Sequence, residues 1–480
     1  MNIPLSRSLI AIALGLMAVA SMEFIMFVNK ADAIPAFARK YGFACNVCHV
    51  PGFPKLNDFG NQFRDQGFQL GADEDLPTND SITMGYWPVS FRTTVGYQAA
   101  SVRADGKTAS SGSFGFTGLD ILSFGTLHRH LSFGVVLTPG LGSAGFGTGG
   151  SAGEGDLEAA FVRLNSLERF LGVKGESYLV NLKIGKFEIE VPYSEKRSPT
   201  LNSQFVMYHY QAGTPWSTVL SGLMTRAYGN PNDFQLGENA PAAELAGLTQ
   251  TPGDGYFRYS LNAVSNSNLN AGTGGVGGGR GVNFYGRMTQ SFGGYGIVTG
   301  HRIGIFGSYG TAPTLANQVC TPSPCSGVAG NGRSFSRIGA DVSLTYEGQW
   351  NLFGAFMHAN DSKNLFASQG IMNFQNASWN GAFVELDWYP TQLPFVKMPG
   401  WLLIYRYDLI RNTQQADPSF AKSYNDVDSH TAMVRYYIHQ STRTDLILHF
   451  EYNWYSANGV GIGGGSQIGQ VMLVGLDFAY

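Results

Sequence analysis

Charge is what this chain has least of. Asp, Glu, Lys and Arg make up 14% of its 480 residues, well below the roughly 25% of an ordinary globular domain. The two signs nearly cancel, 31 basic against 34 acidic, with no long basic run. That balance argues against nucleic acid as a partner. Beyond Val28 no stretch has the length and apolarity of a membrane helix. Cysteine is nearly absent: after Cys45 and Cys48 none follows before Cys320, so a zinc site lacks its second ligand pair. No nucleophile–base arrangement, phosphate loop or hydrolase motif occurs.

What is present points to a wall rather than a globule. Glycine is abundant at 63 residues, and aromatics reach 13%. A glycine- and aromatic-rich, charge-poor chain without membrane helices describes an outer-membrane β-barrel. The period supports this. Thr444, Leu446, Leu448, Phe450, Tyr452 and Trp454 alternate with Arg443, Asp445, His449, Glu451 and Asn453, and only Ile447 interrupts the polar face. Ala382, Val384, Leu386 and Trp388 oppose Glu385 and Asp387, while Trp401, Leu403, Tyr405 and Tyr407 oppose Arg406 and Asp408. A soluble sandwich would turn polar residues outward instead. The last residues place Met472, Val474, Leu476, Phe478 and Tyr480 on one face, a terminal strand that must pair with the first because lipid tolerates no open edge.

Alternating segments between Trp87 and Tyr480 number about 16. The stretch from Ser203 to Ala227 is the least regular, which leaves 14 or 18 open. The expected fold class is therefore all-β: a transmembrane antiparallel β-barrel over residues 85–480, preceded by a small helical segment. Glycine-rich stretches at 139–155, 271–282 and 457–466 read as loops. So does 311–332, whose Cys320 and Cys325 are expected to form a local disulfide in an exported protein.

The preceding segment carries the chemistry. Cys45, Cys48 and His49 form Cys-x-x-Cys-His, the attachment sequence for a c-type haem. Two thiols on one turn reach the two vinyl groups, and the adjacent imidazole takes the proximal iron position. A redox dithiol would sit in a βαβ pattern, which is missing. Upstream, Arg7, an apolar run from Leu9 to Val28 and Ala31–Ala33 read as a signal peptide over residues 1–33. Glu23 within the run argues for cleavage over an uncleaved anchor. Residues 34–84 then form the haem segment. Phe37 and Tyr41 lie one helical turn apart, with Gly42 as a stop. Pro54 is expected at a first helical position, followed by Leu56, Phe59 and Phe63 at helical spacing and Gly67 as the end. Gly60 allows close backbone approach.

The series Ile34–Arg39, Cys45–His49, Phe53–Gly60 and Phe63–Gly67 resembles the fused monohaem cytochrome–porins of outer membranes, known from bacteria that oxidise ferrous iron. Ile184–Glu188 and Pro192–Ser194 add a porin-like run. The resemblance implies a haem segment seated in the barrel as a plug. It implies one-electron transfer between extracellular ferrous iron and a periplasmic carrier, a small cytochrome or cupredoxin, and so a possible Fe(II)-oxidising activity. A passive porin with a haem-bearing plug, and the same conduit exporting electrons, are the alternatives. The cofactor expected is one haem c.

For the sixth iron position, no second His occurs between Ile34 and Leu127, and Met84 is the one Met of the segment. Met84 competes with a packing role, with an open five-coordinate iron, and with Met433, His439 and His449, which strand parity turns inward. His128 and His130 flank a turn. Arg39 and Arg64 are either propionate partners or solvated charges. Glu385, Asp387, Asp408 and Glu451 suit a hard cation, but they define no iron site.

Overall fold

The computed structural model describes residues 37–70 and 89–480, without 50–53, 140–156, 174–177, 217–235, 266–281, 293–299, 320–325, 367–374 and some shorter stretches. The signal peptide, Met84, Arg39, Cys320 and Cys325 lie outside the described residues, as do the proposed boundaries near 34 and 85.

Three short helices are used below: α1 (Cys45–Cys48), α2 (Asp58–Asp65) and α3 (Val206–His209). The first strands are β1 (Val89–Ala104), β2 (Lys107–His128), β3 (Leu131–Leu137), β4 (Leu157–Leu164) and β5 (Asn181–Glu188). After a long connection come β6 (Asn239–Thr251), β7 (Gly255–Ser265), β8 (Val282–Phe292) and β9 (His301–Ala312). The hairpin β10 (Leu315–Val319) and β11 (Ser326–Ala329) follows, then β12 (Arg333–Tyr346), β13 (Trp350–Asp361) and β14 (Ala377–Trp388). A two-residue hairpin, β15 (Gln392–Leu393) and β16 (Val396–Lys397), precedes β17 (Trp401–Gln414), β18 (Val427–Gln440), β19 (Asp445–Ala457) and β20 (Gln467–Ala479).

Sixteen of these strands close a barrel, each antiparallel to its neighbour in chain order, with the two hairpins outside it. β20 pairs with β1 from Arg92↔Ala479 to Arg103↔Ile468, which closes the wall. Tyr480 adds two further bonds to Phe91 at 2.7 and 2.8 Å. The expected barrel and strand number are thus observed, and within 311–332 the described residues Leu315–Val319 and Ser326–Ala329 pair as a small hairpin.

Alternation sets the two faces. In β19 every odd residue from Asp445 to Ala457 is buried. Val384, Leu386, Tyr405, Val474, Leu476 and Phe478 are exposed outside, whereas Glu385, Asp387, Arg406 and Asp408 are buried inside. An apolar exterior around a closed ladder is the form a strand protein must take in lipid. The two mouths differ. At the one that holds Val89 and Ala479, the turns at 129–130, 252–254 and 347–349 are short. The other mouth carries most of the long connections, among them 189–238, although 165–180 at the first mouth is also long, and it has one tight turn in which Asp105 and Gly106 take positive φ of 50° and 74°, as a two-residue hairpin requires.

Parity fails for one of the expected inward residues. β18 shifts register between Tyr437 and His439, so His439 is exposed outside instead of facing the lumen. One extra residue reverses the side of everything after it.

Candidate functional site

The Cys-x-x-Cys residues form α1, a single turn. One side chain holds it. Asn57 donates its backbone N–H to the Cys48 carbonyl (2.9 Å) and its amide to the Val47 carbonyl (3.0 Å). Its own side-chain oxygen accepts from Gly60 N–H (2.8 Å), capping α2. The second helix thus begins at Asp58, four residues after the position expected from Pro54, because Asn57 supplies the cap and Leu56 pairs as an isolated bridge with His49. Gly60 does allow close approach: a Cβ there would lie 2.1 Å from the Cys48 carbonyl oxygen.

His49 is buried, and its Nδ1 donates to the Lys55 carbonyl at 3.1 Å. A proton on Nδ1 leaves Nε2 as the nitrogen with the lone pair, the arrangement a metal-bound histidine uses. Burial pushes the imidazole down to about 4, so it is neutral. Burial likewise pushes the Cys48 thiol up to about 12, unlike the activated thiolate of a redox dithiol. An aromatic layer flanks the turn. Phe63 meets Phe37 and Tyr41 edge-on at 5.0 and 5.7 Å, Phe68 stacks on Phe37 at 5.4 Å, and Phe43 meets Phe59 at 6.0 Å. A thiol, a tautomer-fixed imidazole and an apolar aromatic layer fit a c-type haem. The Cys45 side chain is outside the described residues.

This segment sits in the short-turn mouth of the barrel. Asp65 is its main tie: Arg258 of β7 grips it through both Nε and a terminal nitrogen, and Arg163 of β4 approaches to 3.8 Å. Glu190, on the connection after β5, joins Arg64 (3.1 Å), Arg258 (2.8 Å) and Arg287 (3.5 Å), and Arg287 continues to Asp341 (2.7 Å). Burial alone would raise both carboxyls, but Arg258, Arg64 and Arg163 hold Asp65 low and Arg258 and Arg64 hold Glu190 well below its usual range. On the opposite wall Lys55 reaches Asp387 (2.5 Å) and Glu385 (3.6 Å) across the Phe353 ring. Tyr256 donates to Asp58 (3.3 Å), and Thr126 to the Gly67 carbonyl (3.4 Å).

A second element fills the lumen above. The described residues between 189 and 216 turn inward from β5. Phe205, Val206, Met207, Tyr208, Tyr210 and Trp216 bury themselves against Phe353, Trp379, Phe383, Ile410 and Tyr455 of the wall. The irregular Ser203–Ala227 stretch therefore contains α3 and, among its described residues, no strand. On this side the lumen has an apolar core. Toward β1–β5 it is polar, with half-buried Arg92, Asp120, Thr138, Glu158 and Lys196. Between plug, inward segment and wall lies a cavity of about 710 Å³ counting its open part, lined by Lys55, Arg64, Glu190, Tyr193, Arg197 and Arg302 among others.

The inward-facing candidates are mostly engaged. Met433 packs with Leu402, Ile404, Tyr437 and Ile447. His449 accepts from Arg435 (2.9 Å) and meets Glu451 (3.2 Å). Of the four lumen carboxylates singled out from the sequence, Asp387 serves Lys55, Asp408 and Glu385 flank Arg406 at 2.9 and 3.4 Å, and Glu451 accepts from the Leu201 amide (2.6 Å). Arg64 is half-buried and paired with Asp65 and Glu190, so it is not a solvated charge. His128 and His130 do flank the β2–β3 turn. Sequence reasoning missed Lys55, Asn57, Asp65, Glu190 and Arg258. A charged residue beside an aromatic helix face, at Asp65, was the available signal.

No family model and no curated protein matches the sequence. Among solved structures, the chain is similar to the outer membrane channel DcaP of Acinetobacter baumannii (11% identity, TM-score 0.43, covering 81% of this chain and 96% of that one). It is also similar to OprB of Pseudomonas putida (11%, 0.44, 84% and 96%) and OmpT of Vibrio cholerae (8%, 0.41, 82% and 97%).

Proposed function

We propose that the chain is an outer-membrane electron-transfer protein holding one covalent haem c through Cys45, Cys48 and His49. It passes electrons between extracellular ferrous iron and a periplasmic carrier, a small cytochrome or cupredoxin. The observation that carries this reading is the buried His49 imidazole, its Nδ1–H committed to the Lys55 carbonyl inside a barrel mouth. Haem, when bound, supplies a one-electron couple. The chain's residues do the rest. Asn57 and Gly60 lock α1 onto α2, the Asp65–Arg258–Glu190 cluster fixes the plug, and the apolar core around Phe205–Tyr210 excludes water from much of the lumen. Short turns face the periplasm in bacterial barrels, so this orientation puts the plug toward the carrier and the long connections toward the donor. The ferrous donor rests on the resemblance of the N-terminal series.

The test uses sealed vesicles carrying the protein, with ferrous iron added only outside and insertion checked by protease. A reduced c-type band, absent in Cys45→Ala vesicles, is expected. A haem that stays oxidised until a strong small reductant is added overturns the iron reading. A second reading, a passive channel, is favoured by the half-buried polar residues on the β1–β5 side of the lumen. A large steady single-channel conductance that survives Cys45→Ala would select it.

A further inference from the structure

Lys55 belongs to two networks at once. Its main chain accepts the His49 Nδ1–H at 3.1 Å. Its side chain crosses to the wall, with Nζ 2.5 Å from Asp387 and 3.6 Å from Glu385, both on β14. The ammonium stands over the Phe353 ring, 3.2 Å from its centroid. Both carboxylates are buried, and Lys55 itself is only 13% exposed, so the pair acts in a medium of low polarity where water screens it little. The adjoining residues are tied as well: Leu56 bridges to His49, and Asn57 to Val47 and Cys48. The carbonyl that holds the imidazole is thereby anchored from the barrel.

Resting on the haem reading above, we propose that Lys55 is a positioning residue through which the barrel wall sets the orientation and basicity of the His49 ring. A hydrogen bond from the far nitrogen of a ligating histidine makes it a stronger donor to the metal, which favours the oxidised iron. Loosening that bond raises the reduction potential. The sign is diagnostic, because simple electrostatics predicts the reverse. Deleting a cation from beside two carboxylates makes the surroundings more negative, which favours the oxidised iron and lowers the potential.

The experiment uses the full-length, haem-loaded protein in detergent. Covalent haem is quantified first by its haemochrome spectrum, then the midpoint potential is measured. Lys55→Met is expected to shift the reduction equilibrium upward by up to about tenfold, which is 59 mV for one electron. Asp387→Asn, milder because Glu385 remains, should shift it the same way. In both, the His49 Nδ1 proton should exchange faster by NMR, while Lys196→Gln, in an ion pair with Glu158 away from the plug, changes neither reading. A fall or no movement in Lys55→Met overturns the proposal, as does unchanged Nδ1 exchange in Asp387→Asn should Lys55→Met not fold. Absence of covalent haem from the unaltered protein overturns the haem reading itself, before any potential is read.

Discussion

Replacing Asp65 by Asn should release the plug while leaving the barrel closed. Asp65 is buried and accepts from Arg258 twice, with Arg64 at 3.1 Å and Arg163 at 3.8 Å. Neutralising it leaves Arg64, Arg163 and Arg258 with Glu190 and Glu244 as their remaining carboxylates. Breaking a buried ion pair from one side costs about 3 kcal/mol or more. That is on the order of a hundredfold in the docking equilibrium. Hydrogen exchange on α2 amides reads this directly, and heat-modifiable gel mobility reports the barrel. The expected result is roughly hundredfold faster exchange in α2, with strand protection unchanged. Wild-type protection of α2 would refute the reasoning and shift the weight to the Lys55 and Tyr256 contacts. Acid should act in the same direction. The undocked carboxyls take up protons near pH 4, whereas in the docked plug the arginines hold Asp65 and Glu190 lower. Docking is therefore complete above about pH 4 and is lost as pH falls through the depressed values.

Gly60→Ala should force α2 off the Cys48 carbonyl, 2.1 Å from the new Cβ, at about 1–3 kcal/mol; lower covalent haem yield and faster α2 exchange would show it. Asn57→Ala removes the α2 cap and the Val47 contact, and should cost about 1–2 kcal/mol, read as faster α2 exchange with an intact barrel. Deleting Tyr480 removes its two bonds to Phe91, and less heat-modifiable folded form is expected. β10 and β11 pair Val319 with Ser326, beside Cys320 and Cys325; a mass increase on reduction and alkylation should reveal a local disulfide there.

The wall was legible because it repeats one rule. β14, β17, β19 and β20 each set apolar residues against lipid and polar ones inward, and periodicity reads that without knowledge of partners. His439 escaped because a single bulge is a tertiary event that leaves no mark in composition. Residues 203–216 escaped for another reason. Inside a barrel an apolar side chain is as buried as in any core, so Phe205, Met207 and Tyr208 follow neither period and look like a poor strand. The Cys-x-x-Cys-His turn was plain from its spacing. Its supports were not, since Lys55, Asp65 and Glu190 owe their roles to partners such as Asp387 and Arg258, far away in sequence.

The wall is complete only when Ala479 lies against Arg92. The plug comes from the opposite end of the chain, yet it finishes inside, with Cys48 and His49 only 8% and 2% exposed. No enzyme could work on those side chains while the plug is docked in the closed barrel. On the haem reading, the group is most easily joined early, while the chain is still unrolled, and then carried in as the final seam forms. On the haem reading proposed above, topology thus favours a sequence in time: ligation, then insertion, then closure. A chain that closed first would have to undock its plug from the mouth before anything could be joined there.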